Sequence, residues 1–257
     1  MRLETRTWGE GERTALLVHG FAGDSGTWEH AAGALAGLGY RVIAPDLRGH
    51  GGSPRGYYSP QALAGDLAET LPAGADLALG HSVGAALLGL AAAELRPARL
   101  VYAEPYWGIR AVTDLPDPRS AARLVGMTAE EIAERNPGWS RAAVEAEARA
   151  RALWDPRTMV DMHTFDMPAL PESTAAPSLI LLAERQGLIP EIDGSGGEAR
   201  GFDVRTVPGT GHMLHLDDPE GFFAALRGWL EETGAAHPAH PAGASPGAGG
   251  REAERTA

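Results

Sequence analysis

Short apolar runs alternate along most of the chain with longer segments whose apolar residues recur at helical spacing. Runs typical of strands lie at 15–18, 40–44, 76–79, 99–103, 178–183 and 202–207, with one or two antiparallel strands expected within 2–8. Helical spacing is clearest at 27–38, 60–71, 83–95 and 219–232. This alternation predicts an α/β fold with a mostly parallel central sheet and helices on both of its faces.

The alternation stops between residues 105 and 172, where helical patterns continue without a convincing strand. Thr128 opens a capping-box sequence, and an alanine-rich helical run follows at 140–153. We therefore predict a helical cap at 105–172, inserted into a core made of 1–104 and 173–233. Most aromatic and Met side chains of the cap are expected to pack it onto the core. A few side chains are expected to line a substrate pocket, and the candidates are His81, Trp107, Trp154, Met159 and Met162.

The segment 234–257 is rich in Pro, Gly and Ala and offers little apolar surface to bury. We expect this tail to be disordered. His237 and His240 stand beside prolines without a third ligand, so no metal site is predicted there.

Composition narrows the possible chemistry. The net charge is -12, and the 22 basic residues, all of them Arg, are scattered, which argues against a nucleic-acid partner. The absence of Cys and Lys excludes a thiolate nucleophile, a Schiff-base lysine and a P-loop lysine. No apolar run is long enough to span a membrane, and the first residues lack the apolar core of a signal peptide. The expectation is a cytoplasmic protein without a membrane partner.

Gly80-His81-Ser82-Val83-Gly84 is the most informative motif in the chain. It follows the apolar run 75–79 and precedes the predicted helix 83–95, so it predicts a tight strand-to-helix turn. A serine held between small neighbours at such a turn is exposed at the carboxyl end of its strand. The helix that follows supplies backbone N–H groups and a positive dipole end where an oxyanion would form. Ser82 is therefore the candidate nucleophile.

With three other motifs in this order, the chain resembles the α/β-hydrolase fold superfamily, specifically its cap-bearing bacterial esterase-like members. The resemblance covers residues 12 to 232. The other motifs are His19-Gly20-Phe21, the stretch Asp46-Leu47-Arg48-Gly49-His50-Gly51-Gly52-Ser53, and Gly209-Thr210-Gly211-His212 followed by Pro219. The set is specific for the fold and poorly specific for the substrate, because one fold hosts many chemistries.

The resemblance implies roles for several residues. The backbone N–H groups of Phe21 and Val83 would form the oxyanion hole, and His212 would act as general base. Nearby His215 is expected to be a cap or surface residue. His81 is expected to pack beneath the site rather than to act as a base. The charges of 46–53 are expected to brace turns.

The sequence departs from the pattern of the family at the acid, the carboxylate that would orient the His212 imidazole. Many members carry an aspartate after the strand before the last one, and Gln186 stands in that place here. Other relatives take the acid from the end of the strand after the nucleophile helix, where Glu104 lies. We favour Glu104, and Glu184, Asp193 or no acid at all remain the alternatives.

The function expected from these residues is a serine hydrolase acting on a small-molecule ester or related acyl substrate through an acyl-enzyme, without a cofactor or metal. A C–C bond hydrolase or lyase, a thioesterase and an acyltransferase could use the same triad. A non-catalytic ligand-binding protein of this fold is the alternative from another class. Dehalogenase and epoxide hydrolase chemistry is disfavoured, because those relatives use aspartate where Ser82 stands. The sequence leaves the oligomeric state open.

Overall fold

The structure is a computed structural model that describes residues 1–108, 123–174, 176–185, 194–198 and 200–234. Its strands are β1 (Thr5–Trp8), β2 (Arg13–Val18), β3 (Tyr40–Pro45), β4 (Leu77–His81), β5 (Leu100–Ala103), β6 (Ser178–Ala183) and β7 (Asp203–Val207). Its helices are α1 (Glu29–Gly37), α2 (Pro60–Thr70), α3 (Val83–Leu95), α4 (Ala129–Arg135), α5 (Arg141–Leu153), α6 (Arg157–Met162), α7 (Gly194–Glu198), α8 (Leu214–Asp217) and α9 (Pro219–Glu232), and a 3-10 turn at Ser25–Trp28 precedes α1.

All seven strands form one sheet in the order β1-β3-β2-β4-β5-β6-β7. Only β1 runs antiparallel to its neighbour, β3, and every other pair is parallel. The sheet is buried on both faces, which explains why β4, β5 and β6 are continuous apolar runs. Because β4 is central, the loop that follows it opens at the middle of the carboxyl edge of the sheet.

Two apolar layers flank the sheet, one on each face, because successive strand residues point to opposite sides. Leu16 of β2 joins a cluster that includes Leu67 of α2 and Leu87 of α3. Leu17, the next residue of β2, joins the opposite cluster with Trp229 of α9. Helices therefore cover both faces, and the predicted fold class is confirmed.

The strand and helix positions expected from the apolar pattern match the structure closely. β6, α3 and α9 have the predicted bounds, and β1 is the expected antiparallel strand. Between β5 and β6 the described residues form α4, α5 and α6, and the capping box of Thr128 with Glu131 is present. The part of the insertion at 109–122 and the tail at 235–257, with His237 and His240, lie outside the described residues.

Candidate active site

Ser82 sits in a sharp turn between β4 and α3. Its φ of 54° and ψ of -123° are a strained conformation for a residue with a side chain. A Cβ on Gly84 would lie 2.2 Å from the carbonyl oxygen of His19, and one on Gly80 would lie 2.6 Å from the Cα of Ala85. Any side chain at either position would clash with the backbone, so both positions require glycine. The turn holds Ser82 directly after the end of β4, as the motif predicted.

His212 lies on the loop after β7 and faces Ser82. Its Nε2 is 3.1 Å from Ser82 Oγ, within hydrogen-bond reach, although 130 residues separate the two along the chain. The ring nitrogen on the other side, Nδ1, is 3.4 Å from Glu104 Oε2. The imidazole therefore lies between the serine hydroxyl and a carboxylate.

Glu104 directly follows β5, with a φ of 45° that turns the chain at the strand end. Its Oε1 accepts a hydrogen bond from the backbone N–H of Ala183 at 2.6 Å, and its side chain is buried. This leaves Oε2 directed at His212. The carboxylate is held in place by main chain from β6, so it can orient the imidazole by its charge and position.

Glu184, the alternative acid, bonds to the main chain of Gly209, whereas the carboxylate paired with His212 belongs to Glu104. Glu184 is exposed, and its Oε2 accepts a hydrogen bond from the backbone N–H of Gly209 at 2.8 Å. Glu184 thereby braces the start of the histidine loop, which we define as residues 208–213. Gln186 and Asp193 lie outside the described residues.

Two buried histidines pack beneath His212. The Nε2 of His81 lies 2.8 Å from the carbonyl oxygen of His212, and since a carbonyl only accepts, His81 is the donor. Burial, with smaller effects from His212 and His215, holds the pKa of His81 well below its ordinary value. His81 is thus a neutral support for the main chain of the histidine loop.

His215 is a core residue, and its expected place on the cap or the surface is wrong. It is 3 % exposed, stacks on Trp28 with ring centroids 4.4 Å apart, and meets the His81 ring at 4.8 Å. Burial, with a smaller effect from His212, lowers the pKa of His215 to about 3. The residue lies on the inner face of α8. The apolar residues on either side of it, Leu214 and Leu216, were the overlooked sign that this segment is buried.

The loop after β2 brings Phe21 against the serine turn. A Cβ on Gly20 would lie 3.0 Å from the Cβ of Ser82, so this loop and the turn are in contact. Within the described part of the chain, the N–H groups of Phe21 and Val83 donate to no protein acceptor. Two unengaged donors on the two segments that meet at Ser82 are what an oxyanion would require.

The stretch at 46–53 braces turns, as its charges led us to expect. Asp46 accepts hydrogen bonds from the backbone N–H groups of Ser25 and Gly52, both at 2.8 Å. The backbone N–H of Leu47 donates to Nε2 of His19 at 2.9 Å. This network fixes the loop that carries Phe21.

The predicted pocket residues fall into separate groups. Trp154 and Met159 form a small apolar cluster with Ala22, and Phe21 packs against it. Trp107 packs on Tyr102 and Phe202, which line a cleft of about 500 Å³. Met162 is buried in the main core, in the same cluster as Trp107. Trp154 and Met159 therefore pack at the loop that carries Phe21, and His81 lies against Gly20 of the same loop.

Two residues beside the site were not anticipated from the sequence. The backbone N–H of Tyr106 donates to the Ser82 carbonyl at 3.1 Å, and its ring meets Phe21 edge-on at 6.2 Å. Asp217 accepts a hydrogen bond from the backbone N–H of Gly211 at 2.6 Å, next to His212. Asp217 lies five residues after His212, and this closeness in sequence was the signal that could have placed it beside the site.

A family model described as "Alpha/beta hydrolase family" matches residues 15–226. The chain belongs to the alpha/beta hydrolase family. An N-formylmaleamate deformylase of Pseudomonas putida is 30% identical over 240 residues, which cover 84% of this chain and 88% of that protein. The expected resemblance is confirmed.

Solved structures of the alpha/beta hydrolase family superpose well on this member. An N-formylmaleamic acid deformylase from Pseudomonas putida S16 gives a TM-score of 0.67 at 24% identity, covering 87% of this chain and 96% of that one. A thermophilic esterase from Thermogutta terrifontis gives a TM-score of 0.66 at 25% identity, covering 90% and 93%. These likenesses agree with the α/β fold of the chain.

The described residues of this alpha/beta hydrolase contain no cluster of three or more His, Asp or Glu side chains arranged to hold a metal ion. Likewise, no described helix has the length and apolar character needed to cross a membrane.

Proposed function

We propose that this chain is a serine hydrolase that cleaves an ester or a related acyl substrate through an acyl-enzyme. The observation that carries the proposal is the continuous line of contacts from Ser82 Oγ to His212 Nε2 at 3.1 Å and from His212 Nδ1 to Glu104 at 3.4 Å. A hydroxyl is a weak nucleophile at its ordinary pKa, and an adjacent, oriented imidazole is the group that activates it.

In the first half-reaction, His212 Nε2 takes the proton of Ser82 as Oγ attacks the substrate carbonyl carbon. Charge develops on the carbonyl oxygen, where the N–H groups of Phe21 and Val83 would stabilise it by about 3 kcal/mol for each donor. His212 then returns the proton to the leaving group as the bond to the acyl carbon breaks. Glu104 stabilises the imidazolium formed between these two transfers.

In the second half-reaction, a water molecule gives its proton to His212 and attacks the acyl carbon. Collapse of the oxyanion releases the acid and restores the Ser82 hydroxyl. These steps use only side chains and main-chain groups of this protein, so the proposal invokes no cofactor.

We further propose that the insertion at 105–172 acts as a cap over this site and supplies one wall of the substrate pocket. Trp154 and Met159, from the insertion, cluster with Ala22, the residue that follows Phe21. The rings of Phe21 and Tyr106 continue this apolar wall towards Ser82. An uncharged acyl or alcohol group fits such a wall better than a charged one.

A second candidate reaction is hydrolysis of an N-formyl amide. It is favoured by the deformylase relative, which is 30% identical over most of both chains. The same serine, base and oxyanion donors would cleave a C–N bond, with His212 protonating the leaving nitrogen.

A substrate panel with a serine-directed probe tests both candidates. We would measure turnover of short-chain p-nitrophenyl esters, acyl thioesters and an N-formyl amide, together with labelling by a fluorophosphonate, for the wild type and Ser82→Ala. Labelling and ester turnover that both depend on Ser82 are expected. A wild-type protein that is neither labelled nor active on any of these would favour the non-catalytic ligand-binding alternative.

A further inference from the structure

Asp217 joins the insertion to the histidine loop through its two carboxylate oxygens. Oδ2 accepts from the backbone N–H of Gly211 at 2.6 Å, and Oδ1 accepts from Trp139 Nε1 at 2.7 Å. Trp139 belongs to the turn between α4 and α5, immediately before Ser140 caps α5. One side chain thus bridges the histidine loop and a turn of the insertion, and Asp217 lies 78 residues after Trp139 along the chain.

The bond to Gly211 acts on the residue directly before His212. The histidine loop is otherwise held by Glu184 at Gly209, by the backbone N–H of Arg185 at Thr210, and by His81 at the His212 carbonyl. All three of these supports come from the core. Among the four supports named here for the histidine loop, Asp217 is the one that also contacts the insertion.

Both bonds are short and charge-assisted, because a carboxylate accepts from two neutral N–H donors. An amide in its place could accept one of them only by turning its NH2 group towards the other donor. Asn at this position would thus keep the shape of the side chain and break the bridge.

We propose that Asp217 is a positioning residue that couples docking of the insertion to the alignment of His212 with Ser82. When Trp139 is seated, the carboxylate is fixed and holds Gly211, which keeps the imidazole within reach of the serine hydroxyl. When the insertion moves away, the carboxylate loses one of its two anchors and the base loses alignment. The kinetic part of this inference rests on the proposed serine hydrolase function.

The test compares Trp139→Phe, Asp217→Asn and the double variant with a matched control. The bond between Trp229 Nε1 and Asp203 Oδ2 has the same 2.7 Å length and the same chemistry, but it joins α9 to β7 in the core. Trp229→Phe therefore removes an equivalent bond that does not involve the histidine loop, by the same substitution as Trp139→Phe. For each protein we would measure the melting temperature, kcat and KM for p-nitrophenyl acetate, and the rate of fluorophosphonate labelling.

We expect Trp139→Phe and Asp217→Asn to lower kcat and the labelling rate by about tenfold with KM little changed, because alignment matters in the transition state. The double variant should match Asp217→Asn within about twofold, since both changes break one bridge. Trp229→Phe should lower the melting temperature without this loss of kcat. Full additivity of the two changes, or a loss in the control as large as in Asp217→Asn, would overturn the inference.

Amide hydrogen exchange separates this inference from the proposed function. Exchange at Gly211 should accelerate in both Trp139→Phe and Asp217→Asn and stay unchanged in Trp229→Phe. If the wild type shows neither turnover nor labelling, the proposed function fails, and the exchange rates still decide whether the bridge exists. If the exchange rate at Gly211 in Trp139→Phe equals that of the wild type, the insertion does not hold the loop.

Discussion

Replacing Glu104 with Gln tests the proposed acid with the smallest change of shape. The backbone N–H of Ala183 needs an acceptor, so the amide oxygen of Gln would take the place of Oε1 there. The NH2 group would then face His212 Nδ1, which currently lies 3.4 Å from a carboxylate oxygen. A donor in that place favours the tautomer with its proton on Nε2, and that nitrogen can no longer accept a proton from Ser82.

The size of the effect follows from the loss of one buried charge beside the imidazolium. At 3.4 Å and an effective dielectric constant of about 20, the Coulomb attraction is roughly 5 kcal/mol. Spreading of the positive charge over the ring reduces this to about 3–5 kcal/mol, which corresponds to a fall in kcat of roughly 10² to 10⁴. KM and the melting temperature should change little, because neither binding of the substrate nor packing depends on this charge.

Glu184→Gln is the matched control for this experiment. Its carboxylate accepts only from Gly209 N–H among the bonds that the structure describes for it, and an amide oxygen can replace that bond. Steady-state kinetics of both variants on one p-nitrophenyl ester at neutral pH, with circular dichroism melts, would complete the comparison. A larger loss in Glu184→Gln than in Glu104→Gln would refute the assignment of the acid and the reasoning from geometry.

Three further outcomes are expected. Ser82→Ala should abolish fluorophosphonate labelling and lower turnover by several orders of magnitude, and residual labelling would contradict the serine mechanism. Gly84→Ala should lower the free energy of unfolding in a denaturant melt by about 3 kcal/mol or more, because the added Cβ would lie 2.2 Å from a backbone oxygen. Gly89→Ala in the same helix should be neutral or stabilising, because the added Cβ would lie 3.8 Å from the nearest atom. Stability should fall below about pH 6.5, by up to about 1.4 kcal/mol per pH unit for each buried histidine. In this range the unfolded chain binds protons at His81 and His215, whereas burial lowers the pKa of both in the native protein, to about 3 for His215. An equal unfolding free energy at pH 7 and 5 would contradict this.

The fold was predictable because its signals are local and repeated. Each buried parallel strand is an apolar run, and each helix between strands carries an apolar stripe, so elements such as β6 and α9 have the expected bounds. The serine turn was predictable for the same reason, since two glycines and a serine between a strand and a helix leave few other conformations. No long-range information was needed for either.

The rest of the site depends on distances that the sequence does not contain. Glu104 and Glu184 each follow the carboxyl end of a strand, and only the distance of 3.4 Å from Glu104 Oε2 to His212 Nδ1 shows which one faces the imidazole. The bridge through Asp217 joins a helix end to an insertion, and neither residue of that pair belongs to a recognisable motif. The flanking Leu214 and Leu216 indicated that His215 is buried, but the sequence does not show that the Trp28 ring covers it.

Backbone strain gives an independent argument for where this molecule works. Among the described residues, four with side chains have positive φ: Ala22, Ser82, Arg96 and Glu104. Three of the four belong to the candidate site, namely the residue after Phe21, the candidate nucleophile and the candidate acid. Such conformations cost about 1–3 kcal/mol each and persist where the surrounding structure enforces them. Hydrogen bonds from Ser82 N to Ala103 O and from Glu104 N to Leu181 O supply that enforcement, so three adjacent strands together hold the serine and the carboxylate at one point of the sheet edge.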